Sequence, residues 1–217
     1  MCAGTADALS ANAYSDAIQE ICALNWRGID HDVLVDVAWA YYHFSIQFRE
    51  NVELALELYP TDDRIRELDR GERNTDNLSP WPGVASPGER MNHDEFMRRT
   101  LALNPIDLTR RGRLESIGAH YLYTVQAIQP VSRALSLASY ENGGLASVFR
   151  AILSAPHWHG PLLQAFQHFL DEHIRLDSDP EVGHGALCRH LLPDREVVAL
   201  WRAFRRLLVG AAPRLLL

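Results

Sequence analysis

The segment HFLDEHIRLDSDPEVGHGALCRHL, residues 168–191, holds the residue types best suited to binding a metal. His173 and Asp177 are four apart in a run of helical periodicity, so an imidazole and a carboxylate project from one face on adjacent turns. Pointing inward, such a pair can hold one metal ion. Phe166, Phe169, Leu170 and Ile174 assign much of the remaining helix to a core. Pro180, Gly183 and Gly185 bend the chain afterwards and can return His184 to the same place. The competing reading of a His–Asp pair at this spacing is a surface ion pair.

Three further residues complete the set. Glu141, in SLASYENGG, ends a long helical stretch just before a Gly-Gly break. Acids are disfavoured at the C-terminal pole of a helix dipole, a penalty that a nearby cation offsets. Glu72 and His93 flank a loop, where Asn92 or Asp94 as a simple helix cap is the plainer reading. Three carboxylates and three imidazoles on four or so helices are the ligand inventory of a di-iron carboxylate site. Oxygen and nitrogen donors without thiolate suit Fe or Mn better than an iron–sulfur cluster or structural zinc.

The elements that must position these side chains are helices. Val33, Val37, Ala40, Phe44, Phe48, Val52 and Leu56 recur at spacings of three and four, which predicts a long helix from Asp32 to Leu58. Leu114, Ile117, Tyr121, Val125, Ile128, Val131 and Leu135 predict a second, from Arg111 to about Tyr140, that Pro130 must bend or split. Further helices are expected at about 6–24, 62–71, 91–103, 145–154, 160–177 and 194–209. No alternating run of β-branched residues marks a strand. The expectation is one all-α domain over residues 1–217. It has an N-terminal helix within 1–25, a Pro- and Gly-rich loop at 78–90 and an apolar tail at 210–217 that packs on the domain or a partner.

Composition narrows the chemistry. The chain has 217 residues with a formal charge of −7, and all 21 of its basic residues are Arg. Lysine Schiff bases, P-loop lysines and lysine general bases are therefore excluded. The acidic balance argues against a nucleic-acid partner. Cys2, Cys22 and Cys188 form neither a CxxC pair nor a disulfide framework, which fits a reducing cytoplasm. No apolar run approaches the ~20 residues of a membrane-spanning helix, so no membrane association is expected. The start lacks the basic and apolar regions of a secretory signal.

The motifs resemble the heme-oxygenase-like di-iron oxidases, helical relatives of heme oxygenase and TenA that carry non-heme iron in place of heme. That family's pattern is a Glu near the end of an early core helix and a His at the start of the next. A Glu on a later helix follows, and then a closing helix with His-x-x-x-Asp and a final His. Glu72, His93, Glu141, His173, Asp177 and His184 stand in that order. YENGG looks like the third-ligand segment, and EHIRLDSD with GHG looks like the closing one. The resemblance covers roughly residues 60–190. Six residues and a Pro separate Asp177 from His184, where the family has about one turn. The loop at 78–90 also lengthens the gap from Glu72 to His93, so Glu67, Asp76 and Glu89 stand as alternative early carboxylates. The resemblance implies a heme-oxygenase-like (TenA-like) multi-helix bundle and two non-heme Fe ions as cofactors, with Mn as the alternative metal. It further implies an O2-dependent oxidase or oxygenase acting on a small amino-acid-like or fatty-acid-like substrate, and it is compatible with a homodimer.

Rival readings rest on other residues. A metal-free helical protein of the same fold would bind a small molecule or a partner, and its Glu141 and Asp177 would meet Arg or solvent. His31-Asp32 and His93-Asp94 are both HD dipeptides, as in the helical HD phosphohydrolases, for which His31 and His93 would have to converge. Arg110, Arg111 and Arg113 can hold a substrate carboxylate, although a solvated helix start explains them as well. His157-x-His159 is an exposed metal pair or a loop with a Trp anchor, and His43 and His120 are satisfied histidines or neighbours of the site. Glu50, Glu53 and Glu57 read as a polar helix face. Cys22 and Cys188 lack the adjacent base that marks a thiol nucleophile.

Overall fold

The 28-residue helix α2, His31–Leu58, forms the axis of the molecule. Its start is fixed by Asp30, whose carboxylate accepts a hydrogen bond from the Val33 N–H at 3.0 Å. Its apolar residues extend beyond one stripe: Leu34, Val35, Val37, Ala38, Phe44, Val52 and Ala55 are all buried. A helix apolar on most sides must be surrounded, and α2 packs against six other helices among the described residues. The structure, a computed structural model, describes residues 14–73, 80–177 and 183–217, the Asp177 side chain excepted.

The surrounding helices are α1 (residues 14–22), α3 (Asp63–Glu72), α4 (His93–Ala102), α5 (Leu108–Gln126) and α6 (Pro130–Ser139). A π-type segment, Tyr140–Gly144, joins α6 to α7 (Leu145–Leu153), followed by α8 (Pro161–Asp177), α9 (His184–Cys188) and α10 (Val197–Ala211). Among the described residues there is no strand, only an isolated bridge between Trp81 and Ala85 in the loop before α4. The all-α, single-domain expectation therefore holds. Pro130 splits the second long helix and becomes the first residue of α6, where its missing N–H costs nothing. The short helix α9 was not expected, and the tail turns as a 3-10 helix, Pro213–Leu216, that buries Leu215 beside Asn25. Residues 1–13, which include the start of the helix expected at 6–24, lie outside the described residues.

The basic cluster at the start of α5 has a structural role. Arg110 Nε donates to Asp36 Oδ1 at 2.7 Å, and Arg113 Nη2 donates to Asp36 Oδ2 at 2.6 Å, tying α5 to α2. Asp36 is buried, so Asp36→Ala removes the one carboxylate that both guanidiniums share, leaving Arg110 with Asp32 and Arg113 with the Ala211 carbonyl. Both can still reach water, which discounts the loss to about 2 kcal/mol. A thermal melt should fall by about 4–8 °C for a domain of this size.

Candidate functional site

Five of the six sequence-predicted donors come together against the middle of α2, beside Tyr41, Ser45 and Phe48. Glu72 is the last residue of α3, His93 the first of α4, and His184 the first of α9. Glu141 sits in the π segment, and His173 on the inner face of α8. All five are buried. They form an unbroken chain of contacts. Glu141 Oε2 lies 3.4 Å from His184 Nδ1, which lies 3.0 Å from Glu72 Oε1. Glu72 Oε2 lies 2.8 Å from His93 Nδ1, and His93 Nδ1 lies 3.2 Å from His173 Nε2.

Local sequence explains each placement. Asn142 and Gly143 leave helical geometry, with Gly143 at φ +91°, a left-handed value that glycine adopts without steric cost. The break turns Glu141 inward where a continuous helix would carry it past. Gly185 brings α9 against this segment, since a Cβ there would lie 2.8 Å from the Glu141 carbonyl oxygen. Aromatic side chains wall the cluster. The His173 ring packs on Phe169 at a centroid distance of 4.1 Å, and Tyr41 packs on Phe169 and Phe149 at 5.5 Å each. A cavity of about 20 Å³ beside Tyr41, Ser45, Glu72 and His173 has room for one water-sized molecule.

Electrostatics divide the imidazoles. Burial, reinforced by the charge of His93, pushes His173 down to about 3, so its ring is neutral near pH 7. Its Nδ1–H donates to the Phe169 carbonyl at 2.8 Å, which leaves the Nε2 lone pair facing His93. That is the orientation a backbone acceptor imposes on a metal-binding histidine. Burial opposes charge on His184, but the Glu141 and Glu72 carboxylates beside it outweigh that and raise its pKa well above the usual value. Burial likewise opposes charge on Glu72, yet His93 and His184 hold its carboxyl far below the usual carboxylate range.

The other candidates lie elsewhere. Glu67 pairs with Arg70 on the surface, and Glu89 pairs with Arg99 at 2.7 Å, so neither is the early carboxylate of this cluster. Asp76 and the Asp177 side chain fall outside the described residues. His31 stacks on His159 at 4.4 Å, and no contact joins it to His93 among the described residues. His43 is buried against the Trp39 carbonyl, and His120 lies beside a cleft between α5 and α10. Glu50 holds the buried Arg133 at 2.7 Å, so that part of the polar face of α2 is structural. Sequence reasoning overlooked Tyr41 and the Ser45 hydroxyl. Their only signal is that they lie four apart on the buried side of α2.

Among the described residues, no group of three or more His, Cys, Asp or Glu stands as a ready coordination sphere. The donors bond to one another instead. Even so, the set fits a divalent cation of the Fe or Mn type: two carboxylates and three imidazoles, all buried, with no thiolate. Two of the nitrogens, His93 Nε2 and His184 Nδ1, have no aligned hydrogen-bond partner among the described residues. No protein-family model, curated protein or solved structure matches the chain.

Proposed function

We propose that the chain is a heme-oxygenase-like helical bundle that binds two iron ions and acts as an O2-dependent oxidase or oxygenase on a small molecule. The observation that carries this reading is the buried contact chain Glu141–His184–Glu72–His93–His173, built from five separate elements. A protein gains nothing in stability by burying so many ionisable groups, since well-packed apolar residues would serve as well or better. The metal-free reading expects Glu141 to meet Arg or solvent, whereas its nearest charged partner is an imidazole.

Glu72, Glu141, His93, His173 and His184 would hold the metal, with Asp177 as the sixth ligand from the family pattern. Iron bound there would supply the one-electron O2 chemistry that no side chain of this protein can perform. The chain's own contributions are distinct. Glu72, which touches two imidazoles, is placed to bridge the two halves of the cluster. The Phe169 carbonyl orients His173. Tyr41, Phe48 and Phe169 exclude bulk water, which strengthens each charge–ligand interaction. The carboxylates offset the cation charge in a dry site.

Anaerobic loading with Fe(II), followed by metal quantification, tests the reading. The protein should retain about two equivalents, and Glu141→Ala less than about half of one. Addition of O2 to the loaded protein should consume O2 and give a transient visible absorption. Less than half an equivalent in the unsubstituted protein would end this assignment.

A further inference from the structure

A second cleft, of about 350 Å³, opens between α2, α4 and the start of α5. That volume lies within the range of small-molecule sites. It is separate from the carboxylate–imidazole cluster: Trp39 and Tyr42 of α2 face it, whereas Tyr41 and Ser45 face the cluster. Its lining combines flat or apolar surface, from Trp39, Leu101 and Ile106, with the guanidiniums of Arg98 and Arg111.

We propose that this cleft binds a small planar carboxylate, with the flat body against Trp39, Leu101 and Ile106 and the carboxylate between Arg98 and Arg111. Charge is the first argument. In a chain of formal charge −7, the charged lining is Arg98, Arg111 and Glu115, a local net of +1. Among the described residues, the ion-pair partners of both arginines are carboxylates on their own helices, Glu95 and Glu115, in pairs that face solvent. Exposed pairs of this kind contribute roughly 0–1 kcal/mol, so a ligand carboxylate accepting a bidentate bond can replace them. Shape is the second. The Arg111 guanidinium lies over the Trp39 ring, 5.9 Å from its centroid, so a flat, planar cation is held against an aromatic ring at the cleft. Unmet bonding is the third. Trp39 is only 8 % exposed, and its indole N–H has no partner among the described residues. Tyr42 adds a hydroxyl at the rim that burial and the charge of Asp94 keep protonated.

The probe is benzoate, the smallest aryl carboxylate, titrated into ¹⁵N-labelled protein and followed at the indole N–H resonances. Trp39→Phe identifies the Trp39 resonance by its disappearance. Benzoate should bind saturably in the millimolar range or below and move the Trp39 resonance most among the five tryptophans. Benzamide, neutral and of the same shape, should bind at least about tenfold more weakly, a difference of 1.4 kcal/mol. Arg111→Gln should weaken benzoate by about tenfold, whereas Glu115→Gln, which releases Arg111, should strengthen it several-fold. Opposite effects from two surface substitutions cannot come from unfolding. No movement of the Trp39 resonance at about 10 mM benzoate, equal affinity for benzamide, or indifference to both substitutions would overturn the proposal. None of these measurements requires iron, so they stand or fall apart from the oxidase reading.

Discussion

His173→Phe is expected to retain no iron and yet to melt within about 3 °C of the unsubstituted protein. The ring it replaces sits in an aromatic nest, with centroids 4.1 Å from Phe169, 4.7 Å from His93 and 5.7 Å from Phe149. A phenyl ring occupies that nest with slight crowding, at a cost of about 1 kcal/mol. The substitution removes no charge, because burial already keeps His173 neutral near pH 7. Its Nδ1–H donates to the Phe169 carbonyl, which the helix also engages through its i,i+4 bond, so no buried acceptor is orphaned. What disappears is the Nε2 lone pair that faces His93 at 3.2 Å. Metal quantification after anaerobic Fe(II) loading should drop from about two equivalents to below about half of one. Full retention of iron would exclude His173 as a ligand. Loss of iron together with a fall of about 10 °C or more would make the effect one of folding.

Much of this architecture is legible in the sequence because helices are written locally. The stripe from Val33 to Leu56 and the break at Pro130 depend on spacing within a few turns, and both appear in the fold. The donors are legible as types for the same reason: each stands at a helix end or on a buried helix face. Their convergence is not local. His93 and His173 meet across 80 residues of sequence, and no spacing rule reaches that far. The short helix α9 has five residues, too few for a periodic signal, and its position depends on Gly185 meeting the Glu141 backbone. Arg110, Arg111 and Arg113 illustrate the same limit. As a cluster they suggest one carboxylate-binding patch, but α2 divides them: Asp36 engages Arg110 and Arg113, while Arg111 turns to Trp39. Only the packed partner helix distinguishes the three.

Gly144→Ala should be strongly damaging although it adds only a single methyl group. A Cβ at this position would lie 2.1 Å from the Ser139 carbonyl oxygen and 2.8 Å from Cζ2 of Trp201. Neither neighbour can give way. The first is backbone at the last residue of α6, immediately before the π segment, and the second is a fully buried indole whose Nε1–H donates to Ser139 Oγ at 3.0 Å. Tyr140 closes the other side, its ring 4.9 Å from that of Trp201. Relief requires the chain to leave the π geometry, and Glu141 moves with it. The expected cost is about 3 kcal/mol, or a fall of about 6–12 °C in melting temperature, together with loss of iron retention. Gly143→Ala is the informative comparison. Its φ of +91° predicts strain of about 1–2 kcal/mol, but nothing lies within 4 Å of the added methyl. Backbone conformation alone would rank Gly143 as the more sensitive position, since Gly144 has an ordinary helical φ of −63°. Contact geometry reverses that order. If Gly143→Ala melts lower than Gly144→Ala, the close packing of Ser139, Gly144 and Trp201 is not what holds Glu141 inward. If Gly144→Ala melts lower and loses iron as well, the helix defect and the metal site are one structural unit.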